Sequence, residues 1–255
     1  MEKSRILLSS DTLSGYGLDH IFEVAENAGF GGIDLAMWKN FDTWNSSYVK
    51  KLKAKHKIAV PIIQVSSDIN GKEMNQALEL AEILWTTTIV INPPSIFNVR
   101  SYHFITSKLP QIQTDNPKIQ FAIVNPPDDT IFILPIPKFK FSNIDQVGEK
   151  YNCKLAIDIT HEDGDFVDSA LMKQLPKHLK NTATLYISDK TKKWVRHLPL
   201  WDGDMKIDLL FKKMAKLSYN GYISIKYTLN KQQLADMDEV EVVLKKAITT
   251  ISSSL

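Results

Sequence analysis

Residues 154–161, with the sequence KLAIDITH, form the stretch around which the rest of the chain is organised. Residues 155–157 are consecutive apolar residues, which is typical of a short strand covered on both faces. Asp158 ends this predicted strand, and His161 follows three residues later. In a barrel of parallel strands the carboxyl ends form the active-site face, so both side chains can face one ion or substrate. The alternative is that Asp158 caps a helix and His161 is a loop residue.

Strand and helix patterns alternate along the rest of the chain. Apolar, β-branched segments predict further strands at residues 5–10, 31–36, 58–65, 86–91, 118–124, 183–188 and 222–227. Helical spacing of apolar residues predicts helices over 18–28, 46–56, 72–85, 97–109, 142–151, 165–179, 204–217 and 232–251. Eight strand–helix units over 255 residues favour a single-domain (β/α)₈ TIM barrel covering residues 1–255.

The loops help to choose between a barrel and an open sheet. A doubly wound sheet would carry a glycine-rich phosphate loop after an early strand, and the loop at residues 11–17 (DTLSGYG) lacks that fingerprint. Residues 125–140 contain four prolines and are expected to form a long loop with an extended piece at 131–134. The barrel is therefore the preferred interpretation.

Composition restricts the class of protein. Hydrophobic content of 44% and charged content of 24% are ordinary for a globular domain, and a net charge of +2 argues against a general nucleic-acid binder. Cys153 is the single cysteine, so no intramolecular disulfide is possible. No apolar run reaches the length of a membrane span and no signal peptide is recognisable. We expect a soluble, cytoplasmic protein that does not contact membranes.

Six segments with ordered spacing point to a family. They are residues 28–35 (AGFGGIDL), 122–127 (AIVNPP), 155–161 (LAIDITH), 186–189 (YISD), 197–204 (HLPLWDGD) and 219–226 (YNGYISIK). In this order they resemble the xylose-isomerase-like TIM barrel family. That family holds sugar and sugar-phosphate isomerases and epimerases, inositol-catabolism enzymes and the abasic-site endonucleases of the AP endonuclease family 2 superfamily. The resemblance implies a (β/α)₈ barrel with a small carbohydrate bound at its carboxyl-terminal face.

The resemblance also implies a metal site, which is degenerate here. Members usually hold one divalent Mn, Mg or Zn ion with two glutamates, an aspartate and a histidine. The aspartate matches Asp158, but the first glutamate falls on Val124, the metal histidine on Tyr186 and the second glutamate on Lys226. Valine cannot ligate, tyrosine is protonated near neutral pH and lysine repels a cation. We therefore predict that no metal is bound and that no residue serves as a metal ligand.

Other family positions supply candidate site residues. His161 matches a histidine that assists at the substrate or metal, Asn92 stands where a histidine is often found, and His197 with Arg196 keeps the family pattern. We expect Asp158, His161 and Lys226 to be catalytic. The residues expected to bind substrate are Trp38, Asn92, Tyr186, Lys190, Arg196 and His197.

Lys226 is the centre of a specific hypothesis. A buried carboxylate at Asp158 needs a counter-charge, and Lys226 can provide it as an ion pair in the place of the lost metal. His161 would lie nearby and Tyr186 would donate a hydrogen bond to the same cluster. The alternative is that Lys226 points along the barrel wall to solvent and the family site is inactive.

Basic and aromatic residues suggest how a ligand is held. A cluster after the seventh strand is expected to bind a phosphate or carboxylate, or else to be a solvated loop; it comprises Lys190, Lys192, Lys193 and Arg196. Three tryptophans near strand ends can stack on a sugar ring or pack locally; they are Trp38, Trp194 and Trp201. We expect Trp85 to lie in the core and Asp204 to cap a helix.

Two classes of function remain open. The first is a sugar or sugar-phosphate isomerase or epimerase, with the usual metal-dependent chemistry in doubt because both glutamates are absent. The second is a non-catalytic small-molecule-binding or interaction protein on the same barrel. An abasic-site nuclease is a weaker third, because such enzymes rely on more histidine and carboxylate ligands than this chain retains. We therefore expect a small sugar or sugar phosphate as the partner, and no nucleic acid.

Overall fold

The computed structural model of the chain describes residues 2–127, 130–131, 134–137, 148–161, 170–192 and 195–255. Eight parallel strands close into a barrel, which confirms the predicted fold. The barrel strands are β1 (Ile6–Ser9), β2 (Gly32–Ala36), β3 (Ala59–Val65), β4 (Thr88–Ile91), β5 (Gln120–Val124), β8 (Lys154–Asp158), β9 (Thr182–Ile187) and β10 (Tyr222–Ile225). They pair in chain order, and β1 closes the barrel on β10.

Two further strands lie outside the barrel. β6 (Thr130–Ile131) and β7 (Leu134–Pro137) form a separate antiparallel pair between β5 and β8. Residues 131 and 134, the two ends of the predicted extended piece, belong to this antiparallel pair, and residues 132–133 lie outside the described residues.

Helices surround the barrel. Their bounds are α1 (Leu18–Ala28), α2 (Ser46–Lys55), α3 (Gly71–Leu84), α4 (Val99–Ser107), α5 (Leu109–Asp115), α6 (Ala170–Leu179), α7 (Ile207–Lys216), α8 (Lys231–Ala235) and α9 (Met237–Ser254). Helix α1 shows why these segments are helical: its apolar residues at helical spacing are buried against the sheet, and Gly29 ends it in the left-handed conformation with φ 87°.

Two predicted helices differ from the structure. The helix predicted over 97–109 ends at Ser107, and a separate helix, α5, begins at Leu109. Pro110 lies in the first turn of α5, where its missing N–H costs no helical hydrogen bond. The closing segment is divided at Asp236, whose extended backbone ends α8 and whose side chain accepts a hydrogen bond from Glu239 N at 3.1 Å to cap α9. The predicted helix 142–151 and the start of 165–179 lie largely outside the described residues.

The core has two parts. The larger part lies between the barrel wall and the helices, and a smaller cluster fills the barrel interior with side chains such as Leu7, Ile62, Val90 and Tyr186. Above this cluster, towards the carboxyl ends of the strands, the interior becomes polar. Within the described part of the chain, every helix is too short or too polar to cross a membrane.

The prediction for Trp85 is wrong. Its side chain is 82% exposed, because the residue caps α3 in the left-handed conformation, with φ 59°, and its ring turns outward towards Lys53. Lys53 Nζ lies 6.0 Å from the ring centroid, so a cation contact replaces the expected core packing.

Candidate active site

The strand ends meet on one face of the barrel. Val124 and Asp158 are the last residues of β5 and β8, while Ser188 and Lys226 directly follow β9 and β10. Asp34 lies inside β2 and pairs in register with Ser9 of β1. The prediction that these positions ring one face of a closed barrel is therefore confirmed.

Asp158 is the centre of the site and is fully buried. Its Oδ1 accepts hydrogen bonds from the Thr160 hydroxyl at 2.7 Å and from Thr160 N at 3.1 Å. Its backbone N–H donates to Asn125 Oδ1 at 2.6 Å, which fixes the strand end. Burial opposes the charge, but the nearby imidazoles of His161 and His197, with Lys226, lower the pKa of Asp158 well below its usual range. The carboxylate is therefore ionised at all ordinary pH values.

Lys226 supplies the positive charge opposite this carboxylate. Its Nζ lies 3.5 Å from Asp158 Oδ2 and 3.9 Å from Asp11 Oδ2, and its side chain is only 13% exposed. Burial disfavours the ammonium, but the carboxylates of Asp11, Asp158 and Asp34 together raise the pKa of Lys226. Lys226 Nζ also lies 5.1 Å from the centroid of the Tyr186 ring. The structure thus contains the ion pair expected from the sequence, and Lys226 points into the site.

Tyr186 takes part in a different way from the prediction. Its ring lies beneath the ammonium, while its hydroxyl forms no hydrogen bond with Asp158, His161 or Lys226. Burial and the neighbouring Asp34 raise the pKa of Tyr186 well above its usual value, so the hydroxyl keeps its proton. Tyr186 therefore contacts the cluster through its aromatic face, and the predicted hydrogen bond to the Asp158 group is wrong.

His161 has a defined tautomer. Its Nδ1 lies 2.7 Å from the carbonyl oxygen of Asn125, which can only accept, so Nδ1 carries the proton. Nε2 is then the nitrogen that lies 3.5 Å from Asp158 Oδ2. Burial lowers the pKa of His161 from 6.5, so the imidazole is neutral near pH 7 and Nε2 holds a free lone pair.

His197 approaches the same carboxylate from the loop after β9. Its Nδ1 lies 3.3 Å from Ser188 Oγ, 3.4 Å from Thr160 Oγ1 and 3.8 Å from Asp158 Oδ2. Burial lowers the pKa of His197 to about 4, so this imidazole is also neutral near pH 7. The sequence predicted His197 as a substrate-binding residue, and the structure places it beside the predicted catalytic group.

A second polar cluster lies beside Lys226 in the barrel interior. Gln64 Nε2 donates to Asp34 Oδ1 at 2.9 Å and to Ser9 Oγ at 3.0 Å, and all three side chains are fully buried. Burial raises the pKa of Asp34 to about 7, although its hydrogen bond from Gln64 acts in the opposite direction. Asp34 thus differs from Asp158, whose pKa is lowered by His161 and His197 as well as by Lys226.

A cavity of about 400 Å³ opens above these groups. Lys226 and His161 line it, together with the predicted ligand-binding residues Trp38 and Asn92. The remaining lining residues are Ser66, Ser67, Asp68, Pro93 and Pro127. A lining that combines an aromatic ring and two prolines with hydroxyl and amide groups suits a small polyhydroxylated molecule.

The described members of the predicted basic cluster do not line this cavity. Lys190 is buried and Lys192 is exposed, and neither is among the described residues that line the cavity. Arg196 lies near enough to His161 for its charge to lower the pKa of that imidazole. Lys193 lies outside the described residues, as does Trp194, and Trp201 lines a separate crevice with Tyr227.

The expected role of Asp204 is also wrong. Lys206, and not Asp204, precedes the first turn of α7, and Asp204 Oδ2 accepts a hydrogen bond from Lys192 N at 2.8 Å. The carboxylate is used inside the loop because the chain turns for two more residues before the helix starts.

Three residues of the site carry donor groups of the kind that a divalent metal needs. Asp158, His161 and His197 each offer one ligand atom, and these atoms all lie within 4.8 Å of one another. Carboxylate oxygen and imidazole nitrogen are suitable donors for zinc or manganese. Lys226 Nζ, however, lies 3.5 Å from Asp158 Oδ2, the oxygen that faces both imidazoles. The donor atoms have the types and spacing that suit a metal, but the Lys226 ammonium already lies beside Asp158 Oδ2 and would repel the ion.

Sequence reasoning missed three residues of this site. Asp11 pairs with Lys226, Thr160 holds Asp158, and Asn125 orients both Asp158 and His161. Asn125 and Thr160 both belong to segments that carry the family resemblance, so their motifs were usable signals. Asp11 had no such signal, because a short turn brings it back over its own strand end.

Comparisons with known proteins agree with this architecture. No family model matches the sequence, and no curated protein matches it. Among solved structures, a xylose isomerase domain containing protein from Salmonella typhimurium LT2 is 11% identical, with 98% of each chain covered and a TM-score of 0.73. The IolI protein with a binding zinc atom is 14% identical over 98% of each chain, with a TM-score of 0.71.

A third solved structure is a sugar epimerase. The 3-keto-D-glucoside 4-epimerase of E. coli is 12% identical, covers 95% of this chain and 99% of its own, and has a TM-score of 0.69. At these identities the likeness concerns the fold. The chain therefore has the fold of the xylose-isomerase-like TIM barrels over nearly its whole length.

Proposed function

We propose that the protein binds a small carbohydrate at the barrel mouth and catalyses an isomerase-type or epimerase-type proton transfer without a divalent metal. The observation that carries the proposal is the Lys226 ammonium, which faces both the Asp158 carboxylate and the cavity. The epimerase among the structural neighbours supports a sugar substrate. Lys226 is proposed to be the resident cation of the site, since a metal ion at Asp158 Oδ2 would meet its charge directly.

The proposed chemistry uses two groups that line the cavity. A sugar carbonyl oxygen would lie beside Lys226 Nζ, where the ammonium stabilises the negative charge that develops on that oxygen. His161 Nε2 would take the proton from the neighbouring carbon, so a C–H bond breaks, an N–H bond forms and the electron pair moves towards the carbonyl. In an isomerisation His161 then returns the proton to the former carbonyl carbon, while a proton passes from the neighbouring hydroxyl to the former carbonyl oxygen, so the carbonyl group has moved by one carbon. The raised pKa of Lys226 keeps it charged, which favours this role over attack as a free amine.

Other residues would hold the substrate. Trp38 offers an aromatic face to a sugar ring, and Asn92, Ser66 and Ser67 offer hydrogen-bonding groups to its hydroxyls. Asn92 Nδ2 already donates to Val65 O at 2.9 Å, so its carbonyl oxygen is held in a fixed direction. This wall would set the orientation of the carbonyl relative to Lys226.

A non-catalytic binding protein is the second candidate. Val124 is the observation that favours it, because the resemblance places a proton-transferring glutamate there and valine cannot carry a proton. The other glutamate position is Lys226 itself. Under this alternative the same cavity binds the same class of ligand, and the difference lies only in turnover.

Two measurements on the purified protein test these functions. Thermal-shift screening against small neutral sugars and their phosphates tests binding, and proton NMR in D₂O follows exchange of the hydrogen beside the sugar carbonyl. Binding with exchange is the expected result. Binding without exchange would favour the non-catalytic alternative, and no stabilisation by any sugar or sugar phosphate would reject both. The sugar phosphates in the screen also test the predicted anion preference. If the preference is correct, they raise the melting temperature more than the neutral sugars do; the basic residues from which it was predicted are Lys190, Lys192, Lys193 and Arg196.

A further inference from the structure

The Asp189 carboxylate has an unusual set of partners. It lies directly after Ser188, is 1% exposed and accepts hydrogen bonds from backbone N–H groups of four residues. Oδ1 accepts from Lys190 N at 2.8 Å and from Met205 N at 3.1 Å. Oδ2 accepts from Trp201 N and from Gly203 N, both at 3.1 Å. Three of these donors belong to residues 197–205, which we call the returning segment.

The backbone of Asp189 holds the same segment. Asp189 N donates to Leu198 O at 2.8 Å, and Leu198 N donates to Asp189 O at 2.9 Å, which forms an antiparallel bridge. Thr228 N donates to His197 O at 2.7 Å, so the segment is also fixed to the chain after β10. His197 is thus held next to the bridge and directly above the strand ends.

The returning segment adopts a conformation that isolated chains disfavour. His197 and Trp201 have φ values of 61° and 71°, in the left-handed region that costs non-glycine residues free energy. Gly203 packs so closely that a Cβ there would lie 2.4 Å from Asp189 Oδ1 and 2.6 Å from Lys190 O. Such a path persists only when surrounding contacts determine it. The Asp189 carboxylate holds Trp201 and Gly203, and the Asp189 backbone holds Leu198, the residue next to His197.

We infer that Asp189 is a positioning residue: its carboxylate folds the returning segment back over the barrel mouth and so places the His197 imidazole against Asp158. Only a carboxylate suits this task, since it accepts hydrogen bonds at both oxygens. An asparagine in the same place would present an NH₂ group to two of the four N–H donors. The effect of this placement on turnover rests on the proposed function, whereas the placement itself does not.

Modification of histidines by diethyl pyrocarbonate tests the inference, with each residue followed by peptide mass spectrometry. Asp189→Asn is expected to raise the rate at His197 by about tenfold, because local opening of the segment exposes the imidazole. His56 and His178 are both 6% exposed and lie elsewhere, so their rates report global unfolding and should stay unchanged. Asp202→Asn is the matched control: it removes a neighbouring carboxylate that is exposed and should leave the His197 rate unaltered.

Gly203→Ala is the second variant, because it disturbs the same contacts from the opposite side without altering Asp189. A selective rise at His197 in either variant, absent from Asp202→Asn, supports the inference. An unchanged His197 rate in folded Asp189→Asn and Gly203→Ala proteins would overturn it. A rise of all three histidine rates together in both variants would also overturn it, since the segment would then not be positioned separately from the fold.

Discussion

Lys226 and Asp158 face each other at 3.5 Å across the barrel mouth although their strands, β10 and β8, are not neighbours. Strand β9 lies between them, and its residue Tyr186 pairs in register with Asp158 on one side and with Ser224 on the other. The Tyr186 ring fills the space beneath the ammonium, so an aromatic face underlies the ion pair. Because both side chains are largely buried, loss of either one leaves the other charge without its partner and lowers the stability of the protein.

Removing both partners of this pair should destabilise the protein by less than the sum of the two single removals. Lys226→Met leaves the Asp158 charge buried beside two neutral imidazoles, and we expect a loss of about 3 kcal/mol in the free energy of unfolding. Lys226→Met combined with Asp158→Asn should lose less than the sum of the two single variants. Urea unfolding of the four proteins measures this coupling. Additive losses would show that the two side chains do not interact.

Replacing the lysine by a carboxylate should create a metal site. Lys226→Glu removes the competing ammonium and adds a ligand beside Asp158, His161 and His197. We expect its affinity for Zn²⁺ or Mn²⁺, measured by isothermal titration calorimetry, to exceed that of the unmutated protein by at least about a hundredfold. Lys226→Met is the control, because it removes the charge without adding a ligand. Tight, stoichiometric metal in the unmutated protein would contradict the prediction.

Asp34 should make stability depend on pH. The pKa of Asp34 is about 7 in the folded protein, against an ordinary value of 3.8 for the unfolded chain. Between these two pH values the folded protein therefore binds more protons than the unfolded chain. Stability from this group is therefore fully present below pH 4, declines as the pH rises and is lost by about pH 7. Asp34→Asn keeps the shape without the charge. It should raise the free energy of unfolding at pH 8 by on the order of 3 kcal/mol and have little effect at pH 4.

The measurement for Asp34 is chemical unfolding of both proteins across this range. The amide introduced by Asp34→Asn retains an oxygen that can accept from Gln64, so the hydrogen bond at 2.9 Å is preserved in the comparison. An equal difference between variant and unmutated protein at pH 4 and pH 8 would show that Asp34 titrates normally.

Trp38 should contribute to ligand affinity and little to folding. It is partly exposed in the cavity wall, where its ring can stack on a sugar. Trp38→Ala is expected to weaken sugar binding about tenfold with a change in melting temperature of only a few degrees. Trp201→Ala is the matched control, since that ring lies in a separate crevice. Equal losses of affinity in both variants would show that ligand does not bind against Trp38.

The sequence was sufficient for the barrel because its strands carry a strong local signal. Residues 155–157 are continuously apolar, residues 183–188 are mainly apolar and β-branched, and glycine or lysine residues mark the ends of helices. Breaks inside helices were harder to predict: Asp236 interrupts a continuous helical pattern only because its side chain caps the helix that follows. Trp85 was misplaced because apolar character alone does not show that a residue caps a helix with its ring outward.

The candidate site was predictable only in part. Asp158, His161 and Lys226 stand at strand ends, where position in the sequence determines position in the barrel. His197 and Asp11 come from loops, and their contacts with Asp158 and Lys226 depend on how those loops turn back. The loop around Asp189 is held by hydrogen bonds from backbone N–H groups. Because almost every residue type has such a group, the sequence does not indicate which residues donate.

The central claim is that the Lys226 ammonium, and not a metal ion, stabilises the negative charge on the sugar carbonyl oxygen. Solvent exchange in the presence of a chelator tests this claim most directly. Deuterium uptake from D₂O into a bound sugar would be compared with and without EDTA, in the unmutated protein and in Lys226→Met. We predict that EDTA leaves the rate unchanged and that Lys226→Met lowers it by about a hundredfold or more. A rate that EDTA abolishes and added Mn²⁺ or Zn²⁺ restores, or that survives in Lys226→Met, would contradict the account.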